Sequence, residues 1–182
     1  STSINSTFIK GAKKVLPGTF MTINCDSLEC VVKNYKVQSE SKSDLNYKQK
    51  LKKLDKLLET SVANHMVSDV PVGVFLSGGV DSSLISYYST KLKKIKAFNL
   101  GTKSKWDETI FAKKAAEDLN IKLETKYLSD NNILDYFEKW AYHNDDPVAD
   151  PSAMALMALT DHVRSKNYKV MLAGEGADEL FL

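Results

Sequence analysis

The run Val72-Gly73-Val74-Phe75-Leu76, followed at once by Ser77-Gly78-Gly79-Val80-Asp81-Ser82-Ser83 and then Leu84-Ile85-Ser86-Tyr87-Tyr88, constrains the fold of this chain more than any other stretch. A short apolar run without alternation reads as a strand buried on both faces, which belongs in a parallel sheet with cover on either side. The glycine pair after it lets the backbone turn sharply and approach a ligand with no Cβ in the way. Ser77, Ser82 and Ser83 supply hydroxyl donors. The helix that follows begins with unpaired amides at the positive end of its dipole. A strand–turn–helix of this kind suits phosphate or pyrophosphate.

Two commoner nucleotide loops are excluded by residue type. A Walker A loop, GxxxxGK(S/T), needs a lysine and a second glycine that are absent, and the dinucleotide fingerprint G-x-G-x-x-G is absent too. The stretch SGGVDSS instead resembles the pyrophosphate loop of the N-type ATP pyrophosphatases, which cleave ATP between its α and β phosphates.

Elsewhere the pattern repeats strand, polar cluster and helix. A long amphipathic helix is predicted from Leu45 to Met66, with Leu51, Leu54, Leu58, Val62 and His65 on one stripe, and Pro71 bars its continuation. Helices are expected at Ser82–Leu92, Glu108–Leu119, Ile133–His143 and Ser152–Ser165, with a further helical start at Ala177. Strands are expected at Ile95–Leu100, Leu123–Leu128 and Lys169–Ala173. The fold class is therefore α/β, a parallel sheet with helices on both faces. The first residues differ: Val15–Ile23 and Glu29–Tyr35 read as a hairpin around an Asn24–Ser27 turn, with Ser39–Asp44 as a linker. The domains expected are a hairpin over residues 1–38 and an α/β domain over 39–182.

Ligands of open α/β sheets sit outside the carboxyl ends of the strands. The polar clusters Ser77–Ser83, Gly101–Glu108 and Gly174–Glu179 all fall there. In the last, Glu175, Asp178 and Glu179 crowd together after the strand ending at Ala173, and a hard cation such as magnesium would offset their charge. Asp81 and Asp178 are the candidate metal-facing carboxylates. A helix start with acids favoured by its dipole would also explain Asp178 and Glu179, but not the glycines flanking Glu175. Asp107-Glu108 could face the nucleotide or start a helix, with the helix start favoured; Ser152 could cap the next helix or contact a ligand; Asp150 has an open role.

Composition narrows the class further. The chain has 182 residues, 43% hydrophobic and 26% charged, which suits a globular domain. A net charge of +2 with interspersed signs gives no electrostatic case for nucleic acid. No apolar run reaches the length of a membrane span. Cys25 and Cys30 have no metal spacing, and a cytoplasmic location is expected. His65, His143, His162, Trp106 and Trp140 read as packing or surface residues.

The order SGGVDSS, FNLG, WDETIFAKKAAEDLNI, DDPVADPSA, LAGEGADELF is similar to the synthetase domain of glutamine-hydrolysing asparagine synthetases. VLPGTFMTI and NYKV resemble the end of that family's N-terminal glutaminase domain. The resemblance implies an adenine nucleotide alpha hydrolase-like fold, ATP and Mg2+. It implies a reaction in which ATP adenylates aspartate with release of pyrophosphate, and ammonia, drawn from glutamine by the glutaminase domain, then displaces AMP to give asparagine. Ser77, Gly78, Gly79, Asp81 and Ser82 would hold pyrophosphate, with Asp81 and Asp178 facing magnesium. Phe75, Leu76 and Leu100 would line the adenosine pocket, with Ala173 and Gly174 beside the nucleotide. Glu175 would act near the acyl-adenylate, helping to deprotonate ammonia. The DDPVADPSA loop would border the amino-acid side.

Three departures accompany the match. The chain starts Ser1-Thr2-Ser3, without the family's N-terminal cysteine nucleophile. It stops at Leu182, where the family continues into a helical region with a catalytic lysine, so a truncated piece with little complete turnover is expected. Ala173 stands where Ser or Thr is common. Related adenylating amidotransferases acting on a sugar acid or β-lactam-type precursor share the same loops, and a non-catalytic ATP-binding protein is the other alternative. Oligomeric state is left open.

Overall fold

The computed structural model describes residues 6–35, 43–102, 107–128, 134–144, 150 and 152–181. The chain divides into two compact units, Ser1–Asp44 with Asn144–Ala149, and Leu45–His143 with Asp150–Leu182.

The smaller unit holds the expected hairpin. Strands β1 (Thr19–Ile23) and β2 (Cys30–Asn34) pair antiparallel, from Thr19 opposite Asn34 to Ile23 opposite Cys30. The first strand starts later than Val15 because Pro17-Gly18 makes a turn: Gly18 has φ +74°, and the Thr19 amide donates to the Leu16 carbonyl at 3.1 Å. At the other end, Asn24 Oδ1 accepts from the Asp26 and Ser27 amides at 2.9 and 3.0 Å, the side chain imitating a turn carbonyl. Cys25 and Cys30 are free and exposed.

The larger unit opens with helix α1 (Tyr47–His65). Asn46 accepts from the Gln49 amide, and Gln49 accepts from the Asn46 amide, closing a capping box that fixes the start two residues later than Leu45. The apolar stripe is buried only toward its end: Val62 is buried, Leu54 and Leu58 half-buried, and Leu51 exposed. His65 leaves the stripe altogether and turns its ring nitrogen to the Ser61 carbonyl at 2.7 Å.

Strands β3 (Val72–Phe75), β4 (Lys96–Thr102), β5 (Lys122–Leu128) and β6 (Val170–Leu172) form one parallel sheet in the order β5-β4-β3-β6. Helices α2 (Val80–Leu92), α3 (Thr109–Asp118), α4 (Phe137–His143), α5 (Ser152–Ser165) and α6 (Asp178–Phe181) alternate with them. Side-chain alternation in β3 sends Val72, Val74 and Leu76 to a core shared with Val62, Tyr88 and Ala116 of α1, α2 and α3. Phe75 points to the opposite core, where Phe98 packs with Leu159 and Val163 of α5. Helices thus cover both faces, as expected.

Helix α2 buries Ser82, Ser86 and Ser89 beside Tyr88. Ser86 and Ser89 are fully buried, and their hydroxyls donate to the Ser82 and Ile85 carbonyls at 2.8 Å, so neither buried hydroxyl is left unpaired. The helix expected over Ile133–His143 is shorter than predicted. Asp135 and Tyr136 form a turn before α4, and residue 133 lies outside the described residues.

Candidate functional site

At the carboxyl end of β3 the chain turns through Gly78, whose φ of +90° needs glycine. A Cβ there would sit 2.3 Å from the Phe111 backbone, so the turn is also pressed against α3. Gly79 is different. It is extended (φ −69°), and its Cβ would meet only Ser77 Oγ at 3.4 Å. Gly79 caps α2 with no side-chain bond, so no cap side chain takes the amides of its first turn. The first helical bond here runs from the Ser83 amide to the Gly79 carbonyl at 3.1 Å.

The serines hold the loop to itself. Ser82 Oγ, buried, accepts from the Ser77 amide at 3.2 Å, lies 2.9 Å from Ser77 Oγ, and donates to the Gly79 carbonyl at 3.2 Å. The Gly79 amide reaches Ser77 Oγ at 3.3 Å. The loop is therefore shaped before any ligand arrives, with its hydroxyls spent mainly on its own backbone.

The acidic bend after β6 abuts this loop. Gly176 takes φ +84°, and a Cβ on Gly174 would lie 2.8 Å from the Ser82 amide nitrogen and 2.9 Å from Asp81 Cβ. A glycine is required there because only bare backbone fits against the start of α2. Asp81, Ala173, Gly174 and Glu175 line one cavity of about 580 Å³, walled on its other side by Leu54, Leu58, Leu84 and Ile85. Asp178 is not among its walls; it opens α6 directly after Ala177, which is. Glu175, Asp178 and Glu179 are all exposed. Water screens such charges, so crowding alone does not demand a cation, contrary to the expectation from sequence.

Among the described residues no group of three or more His, Cys, Asp or Glu converges as a metal cage. One or two carboxylates beside an amide-lined loop is instead the donor set of a cation completed by phosphate and water, as magnesium is. The protein residues present fit that role.

A second cavity, about 180 Å³, lies between the ends of β3 and β4. Phe75, Leu76 and Leu100, grouped in advance by resemblance, line it with Ser77, Phe98, Asn99, Glu108 and Leu159. Asn99 and Glu108 were not singled out as wall residues. An amide inside an otherwise apolar strand was the available signal for Asn99, since buried polar residues need a reason. Asn99 is 5% exposed, and its Oδ1 has no hydrogen-bond partner among the described residues.

Two residues flanking the site turn out to be braces. Asp107 Oδ1 accepts from Thr109 Oγ1 at 2.5 Å and from the Thr102 and Thr109 amides at 3.2 Å, tying β4 to the start of α3. The Thr109 hydroxyl bond, with the backbone bonds behind it, holds the Asp107 carboxyl below the usual carboxylate range. Asp150 does the same for α5, accepting from Ser152 Oγ at 2.6 Å and the Ser152 amide at 2.9 Å. Ser152 is thus not the N-cap expected from sequence; it is the first helical residue, and Asp150 takes its orphan donor. Of the DDPVADPSA loop, residues 145–149 and 151 lie outside the described residues, as does Trp106.

Comparison with known proteins adds the wider frame. A family model described as asparagine synthase matches residues 53–182. The asparagine synthetase (glutamine-hydrolyzing) 1 of Bacillus subtilis is 36% identical over 178 residues, covering 97% of this chain and 28% of that protein. Amidase chyE of Penicillium rubens is 29% identical over 199 residues, covering 96% of this chain and 29% of that one. Among solved structures, a glutamine-dependent NAD+ synthetase from Acinetobacter baumannii in complex with ADP superimposes with a TM-score of 0.50 at 15% identity. That match covers 88% of this chain and 31% of the other, and is a likeness of fold. The chain spans less than a third of the length of each of these proteins.

Proposed function

The chain belongs to the asparagine synthase family, and from that premise we propose that it carries the nucleotide-activating site of an ATP-dependent amide-forming ligase. The observation that carries this reading is the backbone contact of Gly174 with Asp81 and Ser82, which joins the glycine–serine loop and the acidic bend into one site. The amides of Gly78, Gly79 and the first turn of α2, with Ser77 and Ser82, would cradle pyrophosphate. Phe75, Leu76 and Leu100 would hold the adenosine, and Ala173 and Gly174 would pass beside the nucleotide. Asp81 and Asp178 would face a magnesium ion that neutralises phosphate charge. ATP supplies the adenylyl group that turns a carboxylate, a poor electrophile, into one with a leaving group. Glu175, exposed at the rim of the cavity, would accept a proton from incoming ammonia.

The carboxylate we favour is the side chain of aspartate, with ammonia supplied from glutamine by a glutaminase domain in cis. A relative named an amidase supports a second reading, the same activation applied to a different carboxylic acid. Among the described residues no helix is long and apolar enough to cross a membrane.

Exchange of labelled pyrophosphate into ATP tests the proposal, run on the protein with magnesium and a panel of carboxylic acids. Exchange dependent on aspartate, and lost in Asp81→Ala, is the expected result. Exchange with another acid and not with aspartate would overturn the substrate. No exchange with any acid, together with no binding of ATP, would overturn the enzymatic reading.

A further inference from the structure

We infer that the Asn99 carboxamide is a specificity-determining group: in the cavity between the ends of β3 and β4, it reads a hydrogen-bond donor on a flat heteroaromatic ligand, as the exocyclic amine of adenine is. The inference rests on the nucleotide reading above and deepens it.

Two independent observations meet here. The first is the cavity, about 180 Å³, with Phe75, Leu76, Phe98 and Leu100 among its apolar walls and Ser77 of the loop at one side. A closed apolar cavity on the order of 150 Å³ accepts a benzene ring, so a planar ring fits a space of this size. The second is Asn99 itself, which lines that cavity and is 5% exposed. Its Nδ2 donates to the Leu100 carbonyl at 3.3 Å. That bond fixes which end of the amide is which, because a flipped side chain would set oxygen against oxygen. Oδ1 is left as a buried acceptor with no donor among the described residues. Buried polar atoms are almost always paired, and an exception calls for a reason. A ligand bearing N–H in this cavity would supply one.

The charge and polarity of the walls decide which donor. Among the described residues its walls carry no cationic side chain, and Glu108, exposed at the start of α3, is the one ionisable wall residue. An acceptor amide and a carboxylate both favour an amine edge and disfavour a carbonyl edge. A 6-amino purine therefore fits better than a 6-oxo purine, which would place acceptor against acceptor. Discrimination of this kind is strong where a site's own buried group would otherwise be left unpaired.

Calorimetric titration of the protein with magnesium and two nucleotides tests this. ATP carries the 6-amino group; purine riboside triphosphate carries hydrogen in its place. The wild type is expected to bind ATP about tenfold more tightly, the effect of one hydrogen bond to a buried acceptor. Asn99→Ala should reduce that preference to less than about twofold while purine riboside triphosphate still binds. Should Asn99→Ala unfold, Asn99→Ser, which keeps a polar group in a smaller side chain, should show the same loss of preference. Equal binding of both nucleotides by the wild type overturns the inference and leaves the proposed function standing. So does a preference that survives in Asn99→Ala, or an equal weakening of both nucleotides, which would mark a merely structural hold on Leu100. Binding of neither nucleotide by the wild type overturns the proposed function, and this inference with it.

Discussion

Single residues carry the shape of the site, and glycines show how differently they do so. At Gly174 the obstacle to a side chain is the backbone of Asp81 and Ser82, which cannot swing aside. Gly174→Ala is expected to lower unfolding free energy by roughly 1–3 kcal/mol and to weaken ATP binding, since the two halves of the site must separate. Gly176 has open space within 4 Å of the position a Cβ would take, although its φ is +84°. Gly176→Ala should cost about 1 kcal/mol of backbone strain and leave the Asp81 side of the site in place. Urea titrations of both variants, compared with ATP titrations, check the contrast. Equal losses of affinity would mean that the Gly174 contact is not what joins the two bends.

Elements are tied to one another by a few polar bonds whose titration can be followed. Tyr88 of α2 donates to Asp55 of α1 at 2.6 Å. That bond, with burial behind it, pushes the Tyr88 hydroxyl up to about 12 from its ordinary 10.0. The folded state therefore favours the protonated phenol: its stabilisation is full below pH 10.0 and is lost as pH rises toward 12. Tyr88→Phe should lower stability at neutral pH by about 1 kcal/mol and flatten the alkaline fall, as melting curves between neutral and alkaline pH would show.

On the opposite face, Glu124 of β5 bonds Lys96 of β4, Lys166 just after α5 at 2.9 Å, and His162 of α5 at 2.8 Å. Lys96 first, then Lys166, hold the Glu124 carboxyl down to about 2 from 4.5. This contribution is present above pH 4.5 and is lost as pH falls toward 2. Glu124→Gln should cost about 2 kcal/mol at neutral pH and remove that part of the acid dependence, as acid unfolding curves of the two proteins would show. An unchanged acid limb in the variant would show that the three bonds do not stabilise the fold.

At the scale of the whole molecule, burial is concentrated in one place. Val74, Ala97 and Phe98 at the centre of the sheet are wholly inaccessible. The hairpin strands are exposed throughout, apart from half-buried Thr19. Stability follows burial and packing, and exchange of backbone amides reports it locally. Amides of β3 and β4 are expected to exchange only on global unfolding, while those of β1 and β2 should exchange orders of magnitude faster by local opening. Hydrogen–deuterium exchange resolved by peptide would check this, and equal protection of hairpin and sheet would contradict it.

The alternation of apolar runs, glycine turns and amphipathic stretches determined the α/β class, the parallel sheet and the position of each polar cluster, because periodicity and turn chemistry are local properties of the chain. So were the start of α5 at Ser152 and the turn at Asn24. Local reasoning failed where a side chain chose between partners distant in sequence or space. It could not say that the acids after β6 would lie in solvent. It could not say that Gly174 meets Asp81, or that the Asn99 oxygen beside a cavity has no partner among the described residues. Those facts depend on which strands become neighbours: β6 follows β5 in sequence yet pairs with β3, and only that long-range pairing brings the acidic bend to the serine–glycine loop.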